Sequence, residues 1–348
     1  MVNSQFCRTI ECVPNFSEGR DISVINRIVD EIKAVDGVRV LNIDVGKDAN
    51  RTVVTFLGEP EAVCEAAFRA VKKAAELIDM SKHKGEHPRF GATDVLPLVP
   101  ISGITMEEVV VYAHKLGQRI GTELGIPVYF YEFAALEEKR RNLATCRANE
   151  YEGLPQKITN PEWKPDCGSA TFNEIVCKSG AIALGARNFL IAYNINLDTK
   201  SVKLANSIAF DIREKGRVKR EGNQIVKDEN GKPIYTPGLL KGVKGMGWYI
   251  EEYGIAQVSF NITDIVAAPI HIVFELAREQ AAKLGINVTG SELIGAVPIN
   301  VLLDAGRYFL QKQNRSTEIA DEEILKTAIE SLGLEDLAPF NAETKIIK

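Results

Sequence analysis

Apolar and β-branched residues dominate positions 8–14, and Pro14 lacks a backbone donor, so the pattern predicts a first strand that ends at this proline. Asp21 or Ser23 then offers a cap for a helix that carries Ile25, Ile28, Val29 and Ile32 on one face. Residues 37–45 and 51–57 are two β-rich runs separated by Gly46 to Asn50, a spacing that suits a hairpin. From Pro60 to Met80, Val63, Ala67, Val71, Ala74 and Leu77 recur at helical intervals, and strand character returns over 93–101. The order β-α-β-β-α-β is that of a split βαβ, or ferredoxin-like, unit.

The second half repeats this order. A strand is expected over 188–197, a helix over 199–215, and a hairpin over 244–250 and 254–262 that turns at Glu252 to Gly254. A helix over 268–284 and a closing strand over 288–298 complete the unit. The segments from Gly91 to Ile101 and from Gly290 to Ile299 resemble each other, both ending in Val-Pro-Ile. The expected class is therefore α+β. Two ferredoxin-like subdomains, 1–187 and 188–314, would form an α/β sandwich with a cleft between them, a common place for a ligand. Residues 105–150 read as a helix–strand–helix addition to the first unit. Residues 216–240 read as a polar surface excursion, and 315–348 as a charged tail with one helix, 321–332.

Composition narrows the function classes. A length of 348 residues suits two compact units. The net charge of −5 gives no general attraction to nucleic acid or anionic membrane. No apolar run approaches the roughly 20 residues of a membrane span, and the N-terminal residues lack a signal-peptide pattern. Cys7, Cys12, Cys64, Cys146, Cys167 and Cys177 form no CxxC pair, which suits reduced thiols in a cytoplasmic protein. No phosphate loop or nucleophile elbow is present, and Gly242 to Gly247 does not open a helix after a strand. Basic residues are not interleaved with aromatics as in an RNA-binding sheet.

Four histidines remain to be placed. His83 and His87 share the stretch Asp79 to Arg89, a loop between a helix and a strand. Cations, two carboxylates and two imidazoles suit an anionic substrate and proton transfer near neutral pH, although charge-rich loops are also simply solvated. His83, Glu86 and His87 match a zinc-site spacing that requires a helix, but Gly85 and Pro88 oppose one and no third ligand stands nearby. No metal is expected. His114 and His271 fall in helices without a reactive neighbour and read as packed or surface imidazoles. Asp44 ends a strand beside Asn50 and Arg51, where it either forms a turn or orients a base or ligand.

Several stretches together resemble the glutamate formimidoyltransferases, in particular the transferase half of formimidoyltransferase-cyclodeaminase. They are Glu11 to Gly19, Asn50 to Val53, Leu77 to Arg89, Lys244 to Tyr249 and Val288 to Pro298. The resemblance implies transfer of a formimino group from N-formimino-L-glutamate to N5 of tetrahydrofolate, in the degradation of histidine to glutamate. It implies His87 as acid and base, with Asp44 as a supporting carboxylate. It also implies folate contacts from Gly168, Ser169, Ala170, Thr171, Phe172 and Gly180, and from Asp211, Ile212 and Arg213. Asn173 to Lys178 look like additional residues within the first of these segments. Lys82, His83, Lys84 and Arg89 are placed to attract substrate carboxylates. The family commonly forms homodimers, and a separate cyclodeaminase would use the product. N-formylglutamate as donor, or folate binding without turnover, would leave nearly the same residues in place.

Overall fold

Asp21 caps the first helix. Its carboxylate accepts the backbone N–H groups of Ser23 at 2.9 Å and Val24 at 3.4 Å, donors that a first turn leaves unbonded. The helix that follows, α1 (Ile22–Lys33), buries Ile25, Ile28, Val29 and Ile32, the apolar face read from the sequence. The computed structural model describes residues 8–85, 87–222 and 224–347, and the chain divides into two compact units at Asn188 and Phe189.

In the first unit, strands β1 (Thr9–Cys12) and β2 (Asn15–Phe16) are one line of chain interrupted at Val13 and Pro14. Strands β3 (Val38–Gly46) and β4 (Arg51–Gly58) form the expected hairpin. Helix α2 (Pro60–Leu77) leads into β5 (Thr93–Ser102). The order β3-β4-β1/β2-β5, antiparallel throughout, is the ferredoxin-like one. Helix α3 (Met106–Leu124) and strand β6 (Val128–Glu132) follow, then helix α4 (Glu174–Ser179) and strand β7 (Ile182–Ala186). Strand β7 lies between β5 and β6 and pairs parallel with both.

Two details depart from expectation. The helix expected to end near residue 150 is only a short turn, Leu143–Cys146. Strand β7 carries no alternation that would have announced it, because all five of its residues are buried.

Ile10, Phe16, Phe56 and Leu98 from the sheet share a core with Ile28, Val71 and Ile120 from the three long helices. Strand alternation then places Glu11, Asn15, Asn42, Asp44 and Arg51 on the helix-free face. Asp94 is aimed by a local irregularity. Asn15 pairs with Val95 and Phe16 with Thr93, so Asp94 is an extra residue, a bulge that re-aims its side chain.

The second unit repeats the order: β8 (Ile191–Leu197), α5 (Val202–Ile212), β9 (Val243–Ile250), β10 (Ile255–Ile262), α6 (Ile270–Lys283) and β11 (Val288–Ile294). Its sheet runs β9-β10-β8-β11, antiparallel throughout. The excursion at 216–240 holds two short two-stranded ladders. Helices α7 (Ile299–Lys312), absent from the sequence reading, and α8 (Asp321–Leu332) close the unit. The chain after residue 315 also packs on this unit. Ala328, Leu332, Leu334 and Ile346 lie in the core of the second unit, and Asp336 accepts bonds from Asn196 at 2.9 Å and Thr289 at 2.7 Å. Their exposed charges had masked an apolar face.

Among the described residues no helix is long and apolar enough to cross a membrane. The five described cysteines are unpaired, and Cys7 lies outside the described residues. His114 places Nε2 2.8 Å from the Ala134 carbonyl and packs against Phe130, while His271 stacks on Tyr308. Both are packed imidazoles.

Candidate active site

The β3–β4 turn begins the site. Asn50 there has φ 46°, in the left-handed region that asparagine tolerates. Its Oδ1 accepts the Gly19 N–H at 3.0 Å, its Nδ2 donates to the Lys84 carbonyl at 2.9 Å, and its own carbonyl lies 3.0 Å from His83 Nε2. One side chain thus ties the segment before α1 to the loop of Asp79 to Arg89. The approach is close enough to need glycine. A Cβ on Gly85 would stand 2.4 Å from the Ala49 carbonyl oxygen, and one on Gly19 2.3 Å from that of Gly46. Gly85→Ala is expected to displace the loop and lower turnover by about 10²-fold, the loss typical of a 1 Å misplacement. Steady-state kinetics beside an unfolding curve would check this.

His83 is held on both nitrogens. A carbonyl can only accept, so Nε2 carries the proton toward Asn50, and Nδ1 accepts from Arg89 Nε at 3.2 Å. Burial first, then the Arg89 charge, hold its pKa below the ordinary histidine value against the Asn50 bond. With neither nitrogen open, His83 has no lone pair for a metal. Glu86, the middle residue of the zinc-like spacing, lies outside the described residues.

Arg89 is buried and clamped. Nη1 donates to Glu150 at 3.2 Å and Glu152 at 2.7 Å, and Nη2 to the His83 carbonyl at 3.3 Å and again to Glu152. Lys82 is exposed and pairs with Asp79 at 2.9 Å, and the Lys84 side chain is exposed. Of the cations named in this loop, Lys82 and Arg89 already face protein carboxylates.

His87 differs. Its Nδ1 lies 2.8 Å from the Pro88 carbonyl, so that nitrogen carries the proton and Nε2 keeps its lone pair. Burial, then Arg51 and Arg147, push its pKa down to about 3, against the Pro88 carbonyl and Asp94. The ring is neutral at physiological pH. Asp94 holds the arginines: Oδ1 accepts the Phe90 N–H at 2.8 Å, while Oδ2 accepts Arg51 Nη1 and, at 2.6 Å, Arg147 Nη1. Burial raises the Asp94 carboxyl pKa, but the two guanidiniums outweigh it and the net shift is downward.

Asp44 stands on β3 opposite Val53 and accepts from Asn42 Nδ2 on the same strand. The carboxylate linked to the His87 surroundings through Arg147 and Pro88 is Asp94.

The segment from Gly168 to Gly180 is docked against the histidine loop. Met80 N–H donates to the Lys178 carbonyl at 2.8 Å, and Gly180 bridges Gly91. Gly168 has φ 82°, Ser169 Oγ donates to the Thr171 carbonyl at 3.0 Å, and Phe172 packs near Tyr151. Asn173 to Lys178 supply the cap and most of α4. In the second unit, Asp211 accepts from Arg217 at 2.8 Å and Ile212 is buried. Arg213 donates to the carbonyls of Gly216 at 3.0 Å and Gly245 at 3.1 Å. Sequence reasoning missed Arg51, Asp94 and Arg147 as a group. A carboxylate within the apolar run after Gly91 was a usable signal for Asp94; Arg147 offered none.

Fold and site together define a two-unit α+β protein with a histidine loop set beside a buried arginine–aspartate cluster. Residues 9–187 match the N-terminal subdomain of the formiminotransferase domain and residues 192–348 match the formiminotransferase domain, so the chain belongs to this family. It is 47% identical to formimidoyltransferase-cyclodeaminase of Gallus gallus, over 98% of this chain and 59% of that protein. It is 42% identical to glutamate formimidoyltransferase of Thermoplasma acidophilum, over 87% of this chain and 92% of that one. It is 39% identical to the enzyme of that name from Streptococcus pyogenes serotype M1, over 88% and 95%. The chain spans 59% of the length of the Gallus gallus relative.

Proposed function

We propose that this protein moves the formimino group of N-formiminoglutamate to N5 of tetrahydrofolate, with His87 as acid and base. The observation that carries the reading is the His87 ring, its Nδ1 tied to the Pro88 carbonyl and its Nε2 without a hydrogen bond among the described residues. N5 attacks the formimino carbon, and the electron pair of the C=N bond moves to its nitrogen. His87 Nε2 takes the proton that N5 loses. The imidazolium then returns that proton to the glutamate nitrogen. The pair on the imino nitrogen re-forms the C=N bond as the bond from carbon to the glutamate nitrogen breaks, and glutamate leaves as an amine. Such transfers contribute about 10²–10⁴-fold, and holding both substrates together contributes the orientation. A low pKa makes the imidazolium a strong acid for the leaving amine.

In the same reading Asp44 supports the site, and the stretches at 168–180 and 211–213 contribute to holding folate. Lys84 and His83 line the approach of the anionic substrate. The protein works as a cytoplasmic homodimer, with a cyclodeaminase using its product. The names of the relatives from Thermoplasma and Streptococcus support this reading. The test mixes the protein with tetrahydrofolate and N-formiminoglutamate, acidifies, and reads the near-ultraviolet band of the methenyl product. A band supports the reading. No band with this donor, but one with N-formylglutamate, reassigns the group transferred.

A further inference from the structure

Two guanidiniums share one carboxylate beside His87. Arg51, Arg147 and Asp94 are 9%, 16% and 0% exposed at their side chains, and together they carry a net charge of +1. The neutral His87 ring does not change that sum. Arg147 Nη1 lies 3.4 Å from the Pro88 carbonyl, the same oxygen that His87 Nδ1 engages, so guanidinium and imidazole meet at one atom. Its Nε is buried and has no hydrogen bond among the described residues. An unpaired buried donor is costly to hold and calls for a partner. The turn that carries Arg147 is also held in an uncommon conformation. Asn149 and Glu150 are consecutive non-glycine residues with φ 65° and 53°, and Glu150 is fastened to Arg89.

We propose that Arg147, assisted by Arg51, seats the α-carboxylate of the donor amino acid. The proposal rests on the formimino-transfer reading above. The Nε–Nη2 edge of an arginine matches a carboxylate with two parallel hydrogen bonds. The chemistry of the two substrates selects between their carboxylates. In N-formiminoglutamate the α-carboxylate is attached to the carbon that bears the reacting nitrogen, so it must lie beside the base. In tetrahydrofolate the glutamate is separated from N5 by a methylene, an amine and a benzoyl ring. Among the cations of the histidine loop, Lys82 and Arg89 already face Asp79, Glu150 and Glu152, and Lys84 is exposed. A carboxylate at Arg147 would also offset the positive charge that opposes protonation of His87, which brings the base nearer its working range as the donor arrives.

The experiment titrates N-formiminoglutamate and, separately, tetrahydrofolate into wild type, Arg147→Gln and Arg147→Lys by calorimetry, with KM for each substrate measured in parallel. Arg147→Gln is expected to weaken donor binding by about 10²-fold while tetrahydrofolate binding changes by less than about threefold. Arg147→Lys, which keeps the charge and loses the two-pronged geometry, should recover only part of the loss. Unfolding midpoints for both variants show whether the fold persists. Donor binding equal to wild type in a folded Arg147→Gln overturns the proposal. So does a loss confined to tetrahydrofolate that vanishes when its glutamate-free analogue is used, because the anion is then folate's own tail. Donor binding that needs Arg147 without any turnover leaves this site standing and sinks the transfer reading. Turnover at an unchanged donor KM does the reverse.

Discussion

His87→Ala is expected to bind both substrates and to turn them over about 10²–10⁴-fold more slowly than wild type, the usual worth of a positioned proton carrier. The ring touches the Pro88 carbonyl of its own loop, while the loop itself is seated by Asn50, His83 and Arg89. Removing it should therefore leave the loop in place, and an unchanged Kd for each substrate would show this. The pH dependence gives a second readout. Because the folded ring has its pKa pushed down to about 3 from the ordinary 6.5, the unfolded chain binds more protons between those values. Stability from the neutral ring is fully present above 6.5 and is lost as pH falls toward 3, at up to about 1.4 kcal/mol per pH unit. His87→Ala should lack that part of the acid sensitivity in denaturation curves from pH 7 to pH 4. A variant with the same slope as wild type would show that the ring is not buried neutral.

Asp94→Asn carries the largest expected effect on stability. Its carboxylate is fully buried and is the anion to which both Arg51 and Arg147 donate. Neutralising it leaves two guanidiniums in a buried site with a net charge of +2, and breaking a buried pair in this way costs about 3–5 kcal/mol. Denaturant midpoints at constant slope would measure it. Activity should fall as well, because Asp94 also fixes the Phe90 N–H at the end of the histidine loop. The contribution of Asp94 has the sign of a depressed carboxyl pKa. It is present above the ordinary aspartate value and is lost as pH falls through the lower folded one. A loss below about 1 kcal/mol would mean that solvent reaches the three charges.

Much of this fold was legible because its elements follow simple periods. Helix α1 was announced by Ile25, Ile28, Val29 and Ile32 and by the Asp21 cap, and each half showed the order of a split βαβ unit. Strand β7 escaped because a strand buried on all its residues shows no alternation. The packing of the C-terminal helix was not legible because exposed charge hides the narrow stripe of Ile324, Ala328 and Leu332. At the site, two histidines in one loop drew notice to His83 and His87. The separate fates of the loop cations were not legible, since the carboxylates that clamp Arg89 lie 61 and 63 residues away in sequence. The bulge that aims Asp94 toward Arg51 is a property of strand register, which single-residue patterns do not report.

The central claim is that the formimino carbon passes with its nitrogen to N5 while His87 carries the proton. The most direct measurement supplies N-formiminoglutamate labelled with carbon-13 and nitrogen-15 in the formimino group, with tetrahydrofolate, and follows both labels by NMR for wild type and His87→Ala. The expected result with wild type is a coupled carbon–nitrogen pair that leaves the donor and appears on folate without free ammonia. The variant should show the same product, formed at least about a hundredfold more slowly. Labelled ammonia released without a folate adduct would make the protein a hydrolase. Equal rates for the two proteins would remove His87 from the mechanism.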